Sequence, residues 1–212
     1  MQKLLFALIT FAVMFFSCSE KEKVATQSDQ KDSILTKTKI EEFLAKKGTL
    51  FIKDFYKMGT LTSDTRIFGK LEFSAIVIYK PDSKADSIKG MKVEVSAKEY
   101  YVYSSYDKSE TAFLDLEELQ ELSNAIQYMI KLVDKWNEIK QEYTEVTYQT
   151  VGNFQLVLFP QKQEKEGTEK LFLVVQAGYS KIGCYFEKDI PLALKTIKEK
   201  IDNGIKKLNN KS

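Results

Sequence analysis

Two thiols, a knot of carboxylates, a few serines and a run of tyrosines hold what reactive potential this sequence has. Histidine is absent from the 212 residues, which removes the commonest general base and a common metal ligand. Asp115, Glu117 and Glu118 stand together, but they open a helical pattern. Carboxylates in that place cap backbone N–H groups and oppose the helix dipole, so a structural role is expected of them. Cys184, between Gly183 and Tyr185, has no imidazole to deprotonate it and reads as a small buried hydrophobe rather than a nucleophile. Ser104, Ser105 and Ser180 lack a recognisable activating base, which leaves only an undirected Ser–Lys pair. The nine glycines are scattered singly and form no phosphate-binding loop, and no calcium-loop spacing occurs. Neither a cofactor nor a metal is expected.

The tyrosines are the one hint of a binding surface. Tyr100, Tyr101, Tyr103 and Tyr106 fall within seven residues. In a continuous strand, alternation sets Tyr101 and Tyr103 on one face, and exposed tyrosines make platforms for sugars, peptides or lipid edges. Tyr101, Tyr103 and Tyr106 are therefore the candidate binding residues, with Tyr143 and Tyr148 as further supply. Packing beneath helices or across strands is their competing role.

The other thiol has a different setting. Residues 1–19 begin with a lysine at position 3, continue through thirteen residues (4–16) with no charge and one hydroxyl, Thr10, and end Ser17-Cys18-Ser19. At about 1.5 Å per residue a helix over 4–16 spans roughly 20 Å, short of the ~30 Å hydrocarbon core, so a removable export signal fits better than a permanent span. Phe15-Phe16-Ser17-Cys18 resembles the lipobox of bacterial lipoproteins. Ser17 matches the small residue before the cysteine; Phe15 and Phe16 stand where the family usually has leucine and a small residue. The resemblance implies cleavage after residue 17, acylation of Cys18 and attachment to a membrane of the cell envelope, outer membrane foremost, with the domain on the periplasmic or outer face. Residues 19–36 are polar and mixed in charge, a composition that cannot bury enough surface to order itself. They read as a tether with an r.m.s. reach of roughly 25 Å.

Beyond the tether, 43% hydrophobic and 12% aromatic residues predict a real core. Thirty-two basic residues against thirty acidic give a net charge of +2, or +1 once Lys3 leaves with the signal. That balance lacks the footprint of a nucleic-acid binder, so no nucleic acid is expected as partner. With Cys18 acylated, Cys184 is left without a disulfide partner.

The elements follow from periodicity. A short helix is predicted over 38–47, capped by Thr38 and Glu41 and ended at Gly48. Strands are predicted over 50–58, 70–79, 91–95, 100–106 and 111–114, with a turn over 59–65 and a polar loop over 81–89. Leu71, Phe73, Ala75 and Val77 share one face of the second strand, and Ile76 and Ile78 the other, so both faces are expected to be covered. A helix of about 23 residues opens at Asp115 with Glu118 in capping-box spacing and Leu114 and Leu119 as a hydrophobic staple. Strands over 144–151 and 154–159 flank Gly152-Asn153, and a further hairpin joins 171–177 to 181–187. A last amphipathic helix starts near Asp189 with Pro191 in its first turn.

The fold class expected is α+β: antiparallel meander sheets with two long amphipathic helices, in the order strands, helix, strands, helix. Residues 37–212 form one domain, divisible into halves 37–141 and 142–212. Laying Leu119 on Ile190 aligns each final strand with its helix, a repeat of architecture rather than of residues. The arrangement is similar to the strand-meander-plus-helix repeats of PUR and Whirly type folds, a likeness of topology that implies no function. The functional expectation is a membrane-anchored envelope lipoprotein, a non-enzymatic module binding a protein or small ligand. The alternative is an envelope hydrolase using carboxylates or a Ser–Lys pair.

Overall fold

Alternating apolar residues build two antiparallel meanders, and each runs straight into an amphipathic helix. The computed structural model describes residues 37–65, 69–101, 104–162, 169–179 and 182–210. The export signal, Cys18 and the tether expected over residues 1–36 lie outside these, as do Tyr103 and Ser180. The order is α1 (Lys39–Leu44), β1 (Ile52–Thr62), β2 (Gly69–Lys80), β3 (Ser83–Tyr101), β4 (Ser104–Asp115), α2 (Leu116–Asp134), α3 (Trp136–Ile139), β5 (Val146–Gln149), β6 (Gln155–Lys162), β7 (Glu169–Ala177), β8 (Ile182–Phe186) and α4 (Ile190–Asn209). β1 to β4 pair in sequence order as one four-stranded sheet, and β5 to β8 as another. The class is α+β, with two long helices, as the periodicity predicts.

The inner faces of both sheets feed one core. Leu71, Phe73, Ala75 and Val77 of β2 meet Met91, Val93 and Val95 of β3, while Leu156, Leu158, Leu173, Val175 and Cys184 come from the second sheet. Leu119, Leu122 and Ile126 of α2 and Leu194, Ile197 and Ile201 of α4 close the same cluster and are inaccessible to solvent. The helices are not private to their halves. α4 lies against β1, β2 and β3 of the first sheet as well as against α2. Gly204 makes that approach close: a Cβ there would collide with the terminal methyl of Met91. On the outer face of the first sheet, α1 covers Ile76 and Ile78 with Ile40 and Phe43 in a second, smaller cluster. β2 is thus sandwiched, as its continuous apolar run requires.

Four boundaries differ from the sequence reading. Residues 59–62 continue β1 rather than turning: the register shifts between Lys57 and Gly59 at a bulge, and the strand resumes. The polar stretch after Pro81 is no loop, because β3 starts at Ser83 and pairs back onto β2 through Ile78↔Ile88. There the hairpin carries its polar residues as ladder members, which composition alone reads as a loop. Residues 100–106 are not one strand but the ends of two, with Tyr101 paired to Ser104 and Glu99 to Tyr106. The helix from Asp115 breaks at Lys135, whose backbone leaves the helical region (φ −106°, ψ 14°), and Trp136 restarts a short turn buried against the core.

The seam between the halves sets a steric condition at Gly152, in the β5–β6 turn, where a Cβ would overlap the carbonyl oxygen of Phe113 on β4. Gly152→Ala is expected to cost about 1–3 kcal/mol, as overpacking typically does. Gly48→Ala has open space around it and only its left-handed backbone (φ +71°) to strain, for about 1 kcal/mol. Urea unfolding midpoints of the two variants should rank in that order.

Candidate functional site

The carboxylates that open α2 are spent on backbone donors. Asp115 is buried, and its carboxylate accepts N–H bonds from Lys39 (2.7 Å) and Ile40 (3.2 Å), the first residues of α1. Those N–H groups have no partner within their own helix. Glu118 folds back to accept from the Asp115 N–H at 3.0 Å and reaches across the seam to the Val151 N–H at 2.7 Å. Burial pushes the Glu118 carboxyl above its ordinary range, against the pull of its N–H donors. Glu117 points outward to an exposed ion pair with Lys39 at 2.7 Å. The Thr38–Glu41 capping box predicted for α1 forms beside them, with the Glu41 N–H bonded to the Thr38 hydroxyl at 3.1 Å and the Thr38 N–H to the Glu41 carboxylate at 2.9 Å.

A second junction answers the first across the molecule. Asp64, in the β1–β2 connection, accepts N–H bonds from Glu187 (2.8 Å), Lys188 (3.0 Å) and Asp189 (3.4 Å), the residues between β8 and α4. Asp189 in turn accepts from the Leu192 N–H at 2.9 Å. Sequence reading takes Asp64 for an ordinary turn residue; its partners lie more than 120 positions away, and nothing local announces them. Beneath this junction Cys184 is buried in the core, and burial, with Asp64 adding to it, pushes its thiol up to about 12. A thiol held protonated and enclosed is no nucleophile.

Of the tyrosines expected to form a platform, Tyr101 closes β3, Tyr106 lies in β4 opposite Glu99, and Tyr103 falls outside the described residues. β3 ends at Tyr101 and β4 begins at Ser104. Tyr148 packs its ring against the core. Tyr143 is exposed and donates to Glu145 at 3.1 Å. With Pro160, Lys162 and Glu169 it lines a wide, shallow concavity of about 590 Å³. A smaller groove of about 260 Å³ runs between α2 and α4, lined by Gln127, Lys195, Glu199 and Asn203 among others. At its floor the buried Ser123 hydroxyl donates to Asp202 at 2.6 Å, and Lys198 donates to the same carboxylate at 2.7 Å. Among the described residues no group of three or more acidic or cysteine side chains is placed to hold a metal, and no helix is long and apolar enough to cross a membrane.

The geometry of Cys184 makes a direct test. In the native protein at pH 8 its thiol should resist a disulfide reagent over hours and react within seconds once urea unfolds the chain. Rapid native labelling would show that the strand opens. Comparison of the chain with known protein families, with curated proteins and with solved structures finds no match.

Proposed function

We propose that this protein is a lipid-anchored module of the bacterial cell envelope that binds a partner protein or small ligand and carries out no catalysis of its own. The observation that carries the non-enzymatic part is where the reactive groups go. Asp115, Glu118 and Asp64 have their carboxylates bonded to backbone N–H groups, and Cys184 is enclosed with its thiol held protonated. A general acid or base must reach a substrate proton; these groups face the chain's own backbone. The anchoring part rests on the resemblance of residues 15–18 to a lipobox, on the lysine and uncharged run before it, and on the polar stretch of 19–36 that follows.

The domain meets that stretch at a fixed point. Thr38 is buried and capped, and Lys39 is tied by its N–H to Asp115, so a tether ending at residue 36 hands over directly to rigid structure. One acyl chain alone holds a protein to a bilayer only reversibly, whereas two or more make release negligible. A domain on such a leash samples partners within the tether's reach of the surface.

Cys18→Ala should move the protein from the membrane to the soluble fraction on cell fractionation. Intact-mass analysis of the native chain should show an N-terminus beginning at residue 18 with added acyl mass. Membrane retention of the variant, or a native mass without acyl groups, would defeat the anchor.

A further inference from the structure

The stretch that leads from α1 into β1 has an unusual surface: Leu50 is 73% exposed and Phe55 52% exposed, both large apolar groups. Phe55 pairs with Ile76 in the β1–β2 ladder, Lys53 with Ile78 and Lys57 with Ser74. Residues directly opposite in an antiparallel pair point to the same side, so Lys53, Phe55 and Lys57 follow one another on the outer face of the first sheet, the face α1 covers. Phe51 packs its ring against Phe43 of α1 (centroids 4.8 Å apart), and Lys46 sets its ammonium over the Phe43 ring at 4.9 Å. Lys46, Lys47, Lys53 and Lys57 are all exposed. The charges opposing them are few. Glu42 of α1 is exposed, Asp54 alternates to the inner side of β1 opposite Val77, and Glu72 is paired with Lys70.

We propose that this α1–β1 corner is the membrane-facing surface of the domain: Phe55 and Leu50 enter the interfacial region of an anionic bilayer while Lys46, Lys47, Lys53 and Lys57 meet its headgroup phosphates. The chemistry is that of interfacial binding, apolar groups flanked by cations that are drawn to a negative surface. A bilayer is the occupant the charge pattern fits, because Lys53 and Lys57 flank Phe55 on one face of β1, Lys46 and Lys47 precede Leu50, and these four exposed cations outnumber the exposed Glu42. The inference deepens the anchored reading and rests on it for the nearness of a bilayer. It fixes the orientation of the domain: α4 and the groove between α2 and α4, on the inner side of the first sheet, face away from the lipid and toward a partner.

The test uses the natively acylated full chain carrying Phe55→Cys, labelled with an environment-sensitive dye. Cys18 is blocked by its lipid and Cys184 is buried, so the dye reports position 55. Leu192→Cys, at an exposed position of α4, serves as the control. The proteins are held on phosphatidylcholine vesicles with and without a minority of phosphatidylglycerol, both doped with a nitroxide-bearing phospholipid. On the anionic vesicles the dye at 55 should shift to the blue and be quenched, and the dye at 192 should not. Lys53→Gln with Lys57→Gln should cut the excess quenching at 55 by about fivefold or more, the factor set by surface attraction of the lysines. Equal quenching at the two positions, or none at 55 on anionic vesicles, would overturn the orientation. If mass analysis shows no acyl group, the anchored reading fails. The same labels, in a chain that also carries Cys18→Ser, then read the corner with vesicles added in solution, and selective quenching at 55 on anionic lipid still decides for or against it.

Discussion

The fold depends on reciprocal docking: the first turn of each half lands on the strand-to-helix junction of the other. At one end Glu118, opening α2, takes the Val151 N–H from the β5–β6 turn. At the other Asp64, in the β1–β2 connection, takes the N–H groups of Glu187, Lys188 and Asp189 leading into α4. The chemistry is inverted between the two ends. In the first the junction supplies the carboxylate and the turn the donor; in the second the turn supplies the carboxylate. Charged hydrogen bonds of this kind contribute about 1.5–3 kcal/mol each, and their loss leaves N–H groups that no helix can satisfy internally. Neither half can therefore complete its own polar accounting.

The apolar accounting is shared in the same way. α4 begins in the second half and closes the first sheet, fitting Gly204 against Met91. α2 begins in the first half and packs on both α4 and β5. The buried Ser123 hydroxyl on α2 donates to Asp202 on α4 and so ties the helices together, and Lys198 neutralises the carboxylate. A meander of four strands with one exposed apolar face is not stable alone; two of them, each lending its helix, bury a single core of the size a domain of this length requires.

That economy explains the character of the surface. Polar groups that an enzyme would aim into a cleft are used at the seam, and the thiol is used as filler beneath it. Among the described residues the surface offers a shallow concavity by Tyr143 and Pro160 at the second sheet, a polar groove between the helices, and a stretch of lysines and exposed apolar groups after α1. In the function proposed above these serve recognition of a partner, since turnover of a small substrate calls for enclosure and convergent groups. In the proposed setting, a lipid-facing α1–β1 corner leaves the helical side open for such a partner.

Local order was legible along the chain because periodicity is a local signal. Thr38 with Glu41, Asp115 with Glu118, the staple of Leu114 and Leu119, and the period-two run of Met91, Val93 and Val95 all state their roles within a few residues. The two-sided burial of β2 was equally plain from Ile76 and Ile78. Misreadings came where local composition and the ladder disagree: the polar start of β3, the bulge at Gly59, and the tyrosine run, which reads as one strand while its residues end β3 and open β4. The break at Lys135 escaped notice because residues on either side keep helical spacing. What no local signal carries is pairing at long range. That Asp64 would cap the entry to α4, that Gly152 would lie against Phe113, and that α4 would cover the sheet of the opposite half are matters of docking between segments far apart in the chain. Periodicity names the face a residue presents; which surface receives that face is settled when the halves meet.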